Sequence, residues 1–201
     1  MKRSEQKKQT RKKIVESAFI IFEQYGFENA KTLDIANLAG ISHGNVFLHF
    51  KSKDDLVIKV IREFSDELSL LLHKQLSSNL TVRDYLENLV CVLENHEKLF
   101  RNIVLEKNHY KVINVEYAEL QYKISLHFYQ MLKIKYTDVD LRGYSFIFNL
   151  LMGMLLQYIL NREYFIDADD ESVLKKFKNE IVIRFTEVVE DYVKLHGGME
   201  I

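Results

Sequence analysis

The chain has 201 residues, of which 47% are hydrophobic and 28% are charged, so it is long enough and apolar enough to bury a core. It contains no proline and only 7 glycines. Because both residues disfavour helix interiors, this composition favours an all-α fold. The single cysteine excludes an internal disulfide, and we interpret Cys91, in the apolar run LVCVL, as a small core residue.

The formal net charge of -1 is unevenly distributed along the chain. Residues 1–62 carry 12 Lys and Arg against 7 Asp and Glu, whereas the remainder carries 16 against 22. A basic N-terminal segment therefore precedes an acidic body, which indicates that the N-terminal segment binds a polyanion. The first residues contain no apolar run typical of a signal peptide, and we expect a cytoplasmic protein in a reducing environment.

Apolar residues at helical spacing predict about nine helices and no strand. The first helix spans residues 10–25, with Ile14, Ala18 and Phe22 on its apolar stripe. Gly26 is expected to end it in a left-handed conformation. Further helices are predicted near residues 82–94, 96–108, 111–135, 139–162 and 169–195.

Short polar residues mark several helix starts. Thr32 is expected to cap the second helix and Ser42 the third, which is about two turns long. Ser52 and Asp55 form a capping box that opens the fourth helix. Two more capping boxes are expected, at Thr81 with Asp84 and at Thr137 with Asp140. The apolar stripe of the fourth helix is Leu56, Val60, Phe64, Leu68 and Leu71. The apolar stripe of the last helix is Leu174, Phe177, Ile181, Val188, Tyr192 and Leu195.

The turn Ala39-Gly40-Ile41 joins two short helices, which is typical of a helix-turn-helix motif. In this motif the helix after the turn enters the major groove of DNA. Amide and imidazole groups hydrogen-bond base edges, so Asn45 and His43 are expected to read bases.

Residues 10–64 resemble the N-terminal domain of the TetR family of bacterial transcriptional repressors. The resemblance rests on the end of the first helix, YGF, and on KTLDIANLAGISHGNVFLHFKSKDDL. The residues that match the family at fixed spacing are Thr32, Ile35, Ala36, Ala39, Gly40, Ile41, Ser42, Gly44, Val46, Phe47, His49, Phe50, Lys53 and Leu56.

The resemblance implies a DNA-binding domain at residues 1–52 and a helical ligand-binding and dimerisation domain at 53–201. The family usually has tyrosine where Phe47 stands, so the phosphate contact of that hydroxyl is lost or is taken by His49. The basic arm of residues 2–13 is expected to compensate by touching phosphate or entering the minor groove. The DNA-binding residues expected by position are Lys31, Thr32, Ser42, His43, Asn45, Phe47, His49, Lys51 and Lys53.

The apolar run YSFIFNLLMGMLLQYIL suggests a homodimer through the helices near 139–162 and 169–195. The run is apolar on all sides, and Gly143 and Gly153 permit close helix approach. It has the length of a short membrane span, but its polar residues favour a helix buried on several sides.

The body is expected to bind a small apolar or aromatic effector, because 13 of the 24 Phe and Tyr residues lie between residues 97 and 165. The spacing of His96, His109 and His127 does not fit a metal site, and no cofactor is expected. The residues expected to line the effector site are Phe100, Val104, Tyr117, Tyr122, Phe148 and Met152.

Together these features favour a ligand-responsive repressor that binds a palindromic operator as a homodimer. Two alternatives stay open, namely a helical enzyme and a helical protein-binding adaptor without DNA binding. The chain contains no GxSxG, GxxxxGK[ST] or HExxH motif, which disfavours an enzyme. Lys31, Asn45 and Lys53 disfavour the adaptor.

Overall fold

A computed structural model describes residues 3–76, 81–136, 141–167 and 171–196. This described part contains nine α-helices, as predicted, and a 3-10 turn at Arg162–Tyr164. The predicted capping box at Thr137 and Asp140 lies outside the described residues. The helices are α1 (Arg3–Asn29), α2 (Thr32–Ala39), α3 (His43–His49), α4 (Lys53–Leu76), α5 (Val82–Asn95), α6 (Glu97–Glu106), α7 (Lys111–Lys135), α8 (Leu141–Leu160) and α9 (Val173–Leu195).

The helices form two compact units. The first unit contains the described residues up to 65 together with 98–119, and the second contains 66–97 together with those from 120 onward. Helices α1 to α3 therefore belong to the first unit, and α5, α8 and α9 belong to the second. The predicted boundary between residues 52 and 53 separates DNA binding from the remaining functions, and it stays a prediction.

Helix α1 begins at Arg3, well before the predicted start at residue 10. Its first turns have no apolar stripe, and most of their described side chains are exposed. Local bonds support them, since Thr10 Oγ1 donates to the carbonyl of Gln6 at 2.9 Å and Lys12 pairs with Glu16 at 3.5 Å. The basic N-terminal arm is thus helical from Arg3 onward, which the apolar spacing did not reveal.

The buried residues of α1 and α4 follow the predicted apolar stripes closely. Ile14, Ala18 and Phe22 of α1 are fully buried, as expected. In α4 the predicted stripe is also buried, except that Leu72 takes the place of Leu71 at its end. The buried residues of this stripe are Leu56, Val60, Phe64, Leu68 and Leu72.

Two predicted capping boxes lie within the described residues. Thr81 caps α5 with both bonds, because its hydroxyl accepts the N–H of Asp84 at 3.2 Å and the Asp84 carboxylate accepts the N–H of Thr81 at 2.8 Å. Ser52 Oγ accepts the N–H of Asp55 at 3.1 Å, but the Asp55 carboxylate accepts from Lys51 instead of from Ser52. The second box is therefore confirmed in its cap and shifted by one residue in its return bond.

Helices α5 and α9 build much of the core of the second unit. The predicted stripe of α9 is partly wrong, since Leu195 is exposed and Phe177, Val188 and Tyr192 are only half-buried. Adjacent apolar residues in α9 offer two overlapping stripes, and the helix buries the one that faces α5. That buried stripe contains Val173, Leu174, Ile181, Val182, Phe185, Val189 and Val193.

Helix α8 is not buried on several sides, contrary to expectation. One face is buried through Ile147, Leu151 and Leu155, whereas Phe146 is 65% exposed and Leu150 is also exposed. Residues Gly143–Leu160 are long and apolar enough to cross a membrane by length and composition alone, and 33% of them are buried. Within the described part of the chain, an apolar stripe of α8 is therefore exposed.

The two glycines of α8 differ in their surroundings. A Cβ atom at Gly143 would lie 1.0 Å from the hydroxyl oxygen of Tyr192, so this glycine allows α9 to pack closely on α8 within one chain. A Cβ atom at Gly153 would meet no atom within 4 Å, and Gly153 is exposed. Of the two glycines expected to permit close helix approach, Gly143 does so inside the chain and Gly153 faces outward.

A buried carboxylate holds the start of α9. Glu97, which is only 6% exposed, accepts hydrogen bonds from the backbone N–H groups of Val173 at 3.3 Å and Leu174 at 3.0 Å. The Ser172 hydroxyl donates to the same carboxylate while it caps the N–H of Lys175. Two N–H groups that the helix itself cannot satisfy therefore find a charged acceptor.

We predict that Glu97→Ala lowers the free energy of unfolding by about 1–3 kcal/mol, because it leaves two buried N–H groups without an acceptor. Urea unfolding followed by circular dichroism measures this change. Glu171→Ala is the matched control, since Glu171 is exposed and its pairing with Lys175 at 3.5 Å is a surface contact; it should change stability by less than about 0.5 kcal/mol. Equal effects of the two variants would contradict the role of Glu97.

Candidate nucleic-acid interface

The turn between α2 and α3 is closed by backbone hydrogen bonds. Gly40 has φ 68° and ψ 35°, a left-handed conformation that favours glycine. The N–H of Gly40 donates to Asn37 and the N–H of Ile41 donates to Ala36, both at 3.1 Å. These bonds end α2 and redirect the chain at once into α3, as the sequence predicts.

Helix α3 has seven residues, of which Val46 is buried. Ser42 precedes it with extended backbone, as an N-cap residue does, but its side chain makes no capping hydrogen bond. The prediction for α2 was wrong in detail, because Lys31 occupies the N-cap position and Thr32 is the first helical residue. The hydroxyls of Ser42 and Thr32 are thus not used as helix caps.

The outward face of α3 carries His43, Gly44, Phe47 and Leu48, all of which are exposed. Leu48 is 77% exposed. Phe47 is exposed as well, whereas Phe50 at the end of the helix is buried. We call the four exposed residues the outward face of α3 below.

His43 is held in place by its neighbours. Its Nε2 atom lies 2.9 Å from Thr32 Oγ1, and its ring meets the ring of Phe47 edge-on with centroids 5.1 Å apart. Because the Thr32 hydroxyl engages Nε2, Nδ1 is the ring nitrogen left for another partner. The expected phosphate contact of Thr32 and the expected base contact of His43 are therefore linked through one hydrogen bond.

His49 stands where the chain leaves α3, and it is half-buried. Desolvation lowers the pKa of its imidazole, and the nearby charges of Lys7 and Arg11 lower this pKa further. Its Nδ1 atom is buried without a hydrogen-bond partner. A neutral, partly enclosed imidazole is poorly suited to replace the tyrosine hydroxyl that Phe47 lacks. Asn45 is half-buried on the same helix.

The basic start of α1 reaches the end of α3. Arg11 donates a hydrogen bond to the carbonyl of His49, and its guanidinium lies 3.9 Å from the ring centroid of Phe50. Lys7 lies one turn earlier on α1 and contributes to the pKa shift of His49. The sequence analysis identified this segment only as a basic arm. The spacing of four residues between Lys7 and Arg11 places both on one face of a helix, and this was the signal that they act together at the end of α3.

The lysines expected to bind phosphate are in different situations. Lys31 and Lys51 are exposed. Lys53 Nζ instead donates to the carbonyl of Glu28 at 2.8 Å, and desolvation lowers its pKa, although nearby carboxylates act in the opposite direction. Lys53 lines a cavity of about 210 Å³ with Glu28, His109 and Tyr110.

The end of α1 is kinked at Gly26, with φ 76° and ψ 176°, and the chain stays helical beyond it. The positive φ was predicted, and the regular helix is interrupted at this residue as expected, although a short helical segment continues to Asn29. The Glu106 carboxylate accepts the N–H groups of Phe27 at 2.9 Å and Glu28 at 2.8 Å. One turn earlier, Asn102 Nδ2 donates to the carbonyls of Phe22 and Glu23 at 2.9 and 3.2 Å.

These four hydrogen bonds satisfy backbone groups that the kink removes from the helical ladder. Asn102 supplies the donors that the carbonyls before Gly26 need, and Glu106 supplies the acceptors that the N–H groups after it need. We call this arrangement the α6 clamp, formed by Asn102 and Glu106. It fixes the end of α1, and therefore the point from which the chain enters α2.

The residues expected to line an effector site are divided between the two units, and their role in binding stays a prediction. Phe100, Val104 and Tyr117 belong to the first unit, whereas Tyr122, Phe148 and Met152 belong to the second. Tyr122 is 67% exposed. The ammonium group of Lys107 lies over the ring of Tyr117, 4.2 Å from the ring centroid.

A different cleft opens in the second unit, with a volume of about 500 Å³. In it the rings of His73 and His127 lie 6.2 Å apart, measured between centroids. No group of three or more His, Cys, Asp or Glu residues with metal-site geometry occurs in the part of the chain that the structure describes. The cleft is lined by Asp66, Ser69, Leu70, His73, Lys123 and His127.

Comparison with known proteins identifies the segment that contains these elements. Residues 14–60 match the model of the bacterial regulatory proteins of the tetR family. The chain is 34% identical over 80 residues to the HTH-type transcriptional repressor KstR2 of Rhodococcus jostii, a match that covers 40% of this chain and 39% of KstR2. It is 38% identical over 65 residues to the HTH-type transcriptional regulator RutR of Escherichia coli K12, covering 32% and 31% of the two chains.

The chain thus aligns with between about a third and two-fifths of the length of these relatives. The likeness of the fold extends further. The structure of the transcriptional regulator FadR from Bacillus subtilis in complex with stearoyl-CoA superposes with a TM-score of 0.64 at 16% identity, over 87% of this chain and 96% of that one. At this identity the superposition shows a shared all-helical fold.

We predict that Gly26→Ala destabilises the protein strongly. A positive φ costs a residue with a Cβ atom about 1–3 kcal/mol, and that atom would lie 2.2 Å from Glu106 Oε1. Gly44→Ala is the matched control, because its Cβ atom would meet nothing within 4 Å. Urea unfolding should show a large loss for Gly26→Ala and no loss, or a small gain, for Gly44→Ala. Similar losses in both variants would contradict the special conformation of Gly26.

Proposed function

We propose that this chain, whose N-terminal helix-turn-helix domain belongs to the tetR family of bacterial regulatory proteins, is a DNA-binding transcriptional repressor. The observation that carries this proposal is the outward face of α3, which the Gly40 turn and the buried Val46 hold away from the core. A short helix presented in this way fits the major groove of B-DNA. A regulator of this kind acts in the cytoplasm, where bacterial DNA lies.

Asn45 and His43 are the proposed base readers. Asparagine can form two hydrogen bonds with adenine, and the Nδ1 atom of His43 is oriented by the bond from Nε2 to Thr32. Because the imidazole is already held in one orientation, it loses less conformational entropy when DNA binds. Thr32 therefore acts in this proposal through His43 and not only through phosphate.

Positive charge around α3 is proposed to bind the phosphates. Lys31 and Lys51 are exposed beside the motif, and Lys7 and Arg11 stand near the end of α3. Arg11 and Lys7 supply the charge that Phe47 and the neutral His49 do not. Ser42 keeps its place in the proposed phosphate contacts, while Lys53 must first leave the carbonyl of Glu28 to reach a phosphate.

The DNA-binding proposal is tested by selecting bound duplexes from a random pool and comparing Asn45→Ala with the parent. Asn45→Ala should cost about 1–3 kcal/mol at one base position and little elsewhere. Lys51→Ala is the control for phosphate binding, because it should weaken all sequences alike and lower the slope of log K against log salt by about one. A parent chain that enriches no consensus would refute the proposal, and an equal loss for Asn45→Ala on consensus and random DNA would refute base reading.

We also propose that the chain acts as a homodimer through α8 and α9. A two-fold dimer places two copies of α3 in successive major grooves about 34 Å apart, and it reads a palindromic operator. The exposed stripe of α8 supports this proposal, since Phe146, Leu150 and the outward Gly153 share one face. Pairing that face with a second copy would remove its apolar surface from water.

We predict that Phe146→Glu yields a monomer, because the carboxylate would be buried in the proposed dimer interface. Sedimentation velocity should then report a particle of 23.9 kDa, the mass of one chain. Ile20→Glu is the matched control, since Ile20 is an exposed apolar residue of α1 outside the proposed interface; it should leave the dimer intact. A parent chain that is already monomeric, or a dimeric Phe146→Glu variant, would rule out this interface.

The effector is proposed to be a small apolar or aromatic compound. The abundance of aromatic residues in the body supports this class, and FadR of Bacillus subtilis, which shares the fold, was crystallised with stearoyl-CoA. Compounds that bind one state of a regulator more tightly than the other shift it between those states. Release of the chain from its consensus duplex by long-chain acyl-CoA, compared with free CoA as a polar control, tests whether an acyl chain is the apolar part of the effector, and no release by either would count against an acyl effector.

A further inference from the structure

The outward face of α3 is partly apolar. Leu48 is 77% exposed, and Phe47 beside it is exposed as well. A scattered exposed leucine is ordinary on a protein surface. Leu48 differs because it lies on the same short helix as the proposed base readers, Asn45 and His43, and one helical turn after Gly44.

Gly44 leaves the helix surface open next to Leu48. A Cβ atom added at Gly44 would meet nothing within 4 Å. Residues four apart are neighbours on a helix, so the open backbone of Gly44 and the side chain of Leu48 share one strip. Alanine would stabilise the helix by about 0.5–1 kcal/mol relative to glycine, and its Cβ atom would have room here. Neither helix stability nor packing within this chain therefore explains the glycine at this position.

The major groove presents one apolar group to such a strip, the 5-methyl group of thymine. Other groups along its base edges are hydrogen-bond donors and acceptors, and covering them with an aliphatic side chain leaves them unpaired. A leucine that faces the groove therefore favours thymine for two reasons. It buries the methyl group of thymine, and at another base it would leave a hydrogen-bond donor or acceptor unpaired.

We propose, on the basis of the DNA-binding function above, that Leu48 reads the 5-methyl group of a thymine in the operator. Gly44 allows the helix backbone to approach the base edges at that point. The readout of α3 then combines the polar groups of His43 and Asn45 with one apolar contact. Burying one methyl group is worth about a fourfold change in an equilibrium constant.

The test replaces thymine by deoxyuridine, which removes only the methyl group, at each thymine of one half-site in the selected consensus duplex. The parent chain should lose affinity about fourfold at one of these positions. Leu48→Ala should bind the thymine duplex more weakly and show no further loss from deoxyuridine at that position. Alanine has the highest helix propensity and Leu48 is exposed, so circular dichroism should confirm that the variant keeps its fold.

Two further variants complete the test. Leu38→Ala, at an exposed leucine of α2, should keep the parent's response to deoxyuridine. Gly44→Ala should fold as stably as the parent and bind the thymine duplex more weakly. A parent chain that selects no consensus overturns the proposed function and this inference together. A consensus at which Leu48→Ala and the parent lose equally from every deoxyuridine overturns the Leu48 assignment alone.

Discussion

A helix of seven residues with one buried side chain is not stable by itself in water, so the outward face of α3 exists only because its surroundings hold it. Burial of Val46 fixes the inner side of the helix, and the left-handed Gly40 sets its direction relative to α2. Helix α2 in turn packs on α1 through Ile35 and Ala36. The α6 clamp fixes the far end of α1 at Gly26, so the position of α3 depends on side chains that lie about 60 residues away in sequence.

Helix α6 begins and ends with a carboxylate that serves another segment of the chain. Glu97 at its start accepts from the first turn of α9, and Glu106 at its end accepts from the residues after Gly26. In both places a charged acceptor meets backbone N–H groups that have no partner in their own helix. Such bonds fix the direction in which a segment leaves a junction, whereas apolar packing alone tolerates small rotations of a helix about its axis. This chemistry therefore occurs in both units.

Apolar periodicity and short capping motifs predicted the order and the approximate bounds of the helices, because both signals are local. Thr81 with Asp84 is recognisable from four residues, and Ile14 with Ala18 and Phe22 from one stripe. Long-range polar bonds leave no such signal. Glu97 and Glu106 read as ordinary surface carboxylates of a short helix, and only the folded chain shows which N–H groups they meet. The face of α9 was misread because adjacent apolar residues allow two stripes, and tertiary packing chooses between them.

The same difference explains the candidate interface, and the free energy of base recognition bears on the proposed dimer. A motif with fixed spacing located α3, but the pairing of Thr32 with His43 and the exposure of Leu48 depend on how three helices meet. A polar base contact discriminates by about 1–3 kcal/mol, so the two proposed base readers on one α3 would supply about 2–6 kcal/mol. A genome offers about a million or more competing sites, which requires discrimination of about 8 kcal/mol. A single copy falls short of this value, whereas two copies with an additional apolar contact in each supply about 6–14 kcal/mol, a range that includes it. This comparison gives a physical reason for the proposed dimer that is independent of the exposed stripe on α8.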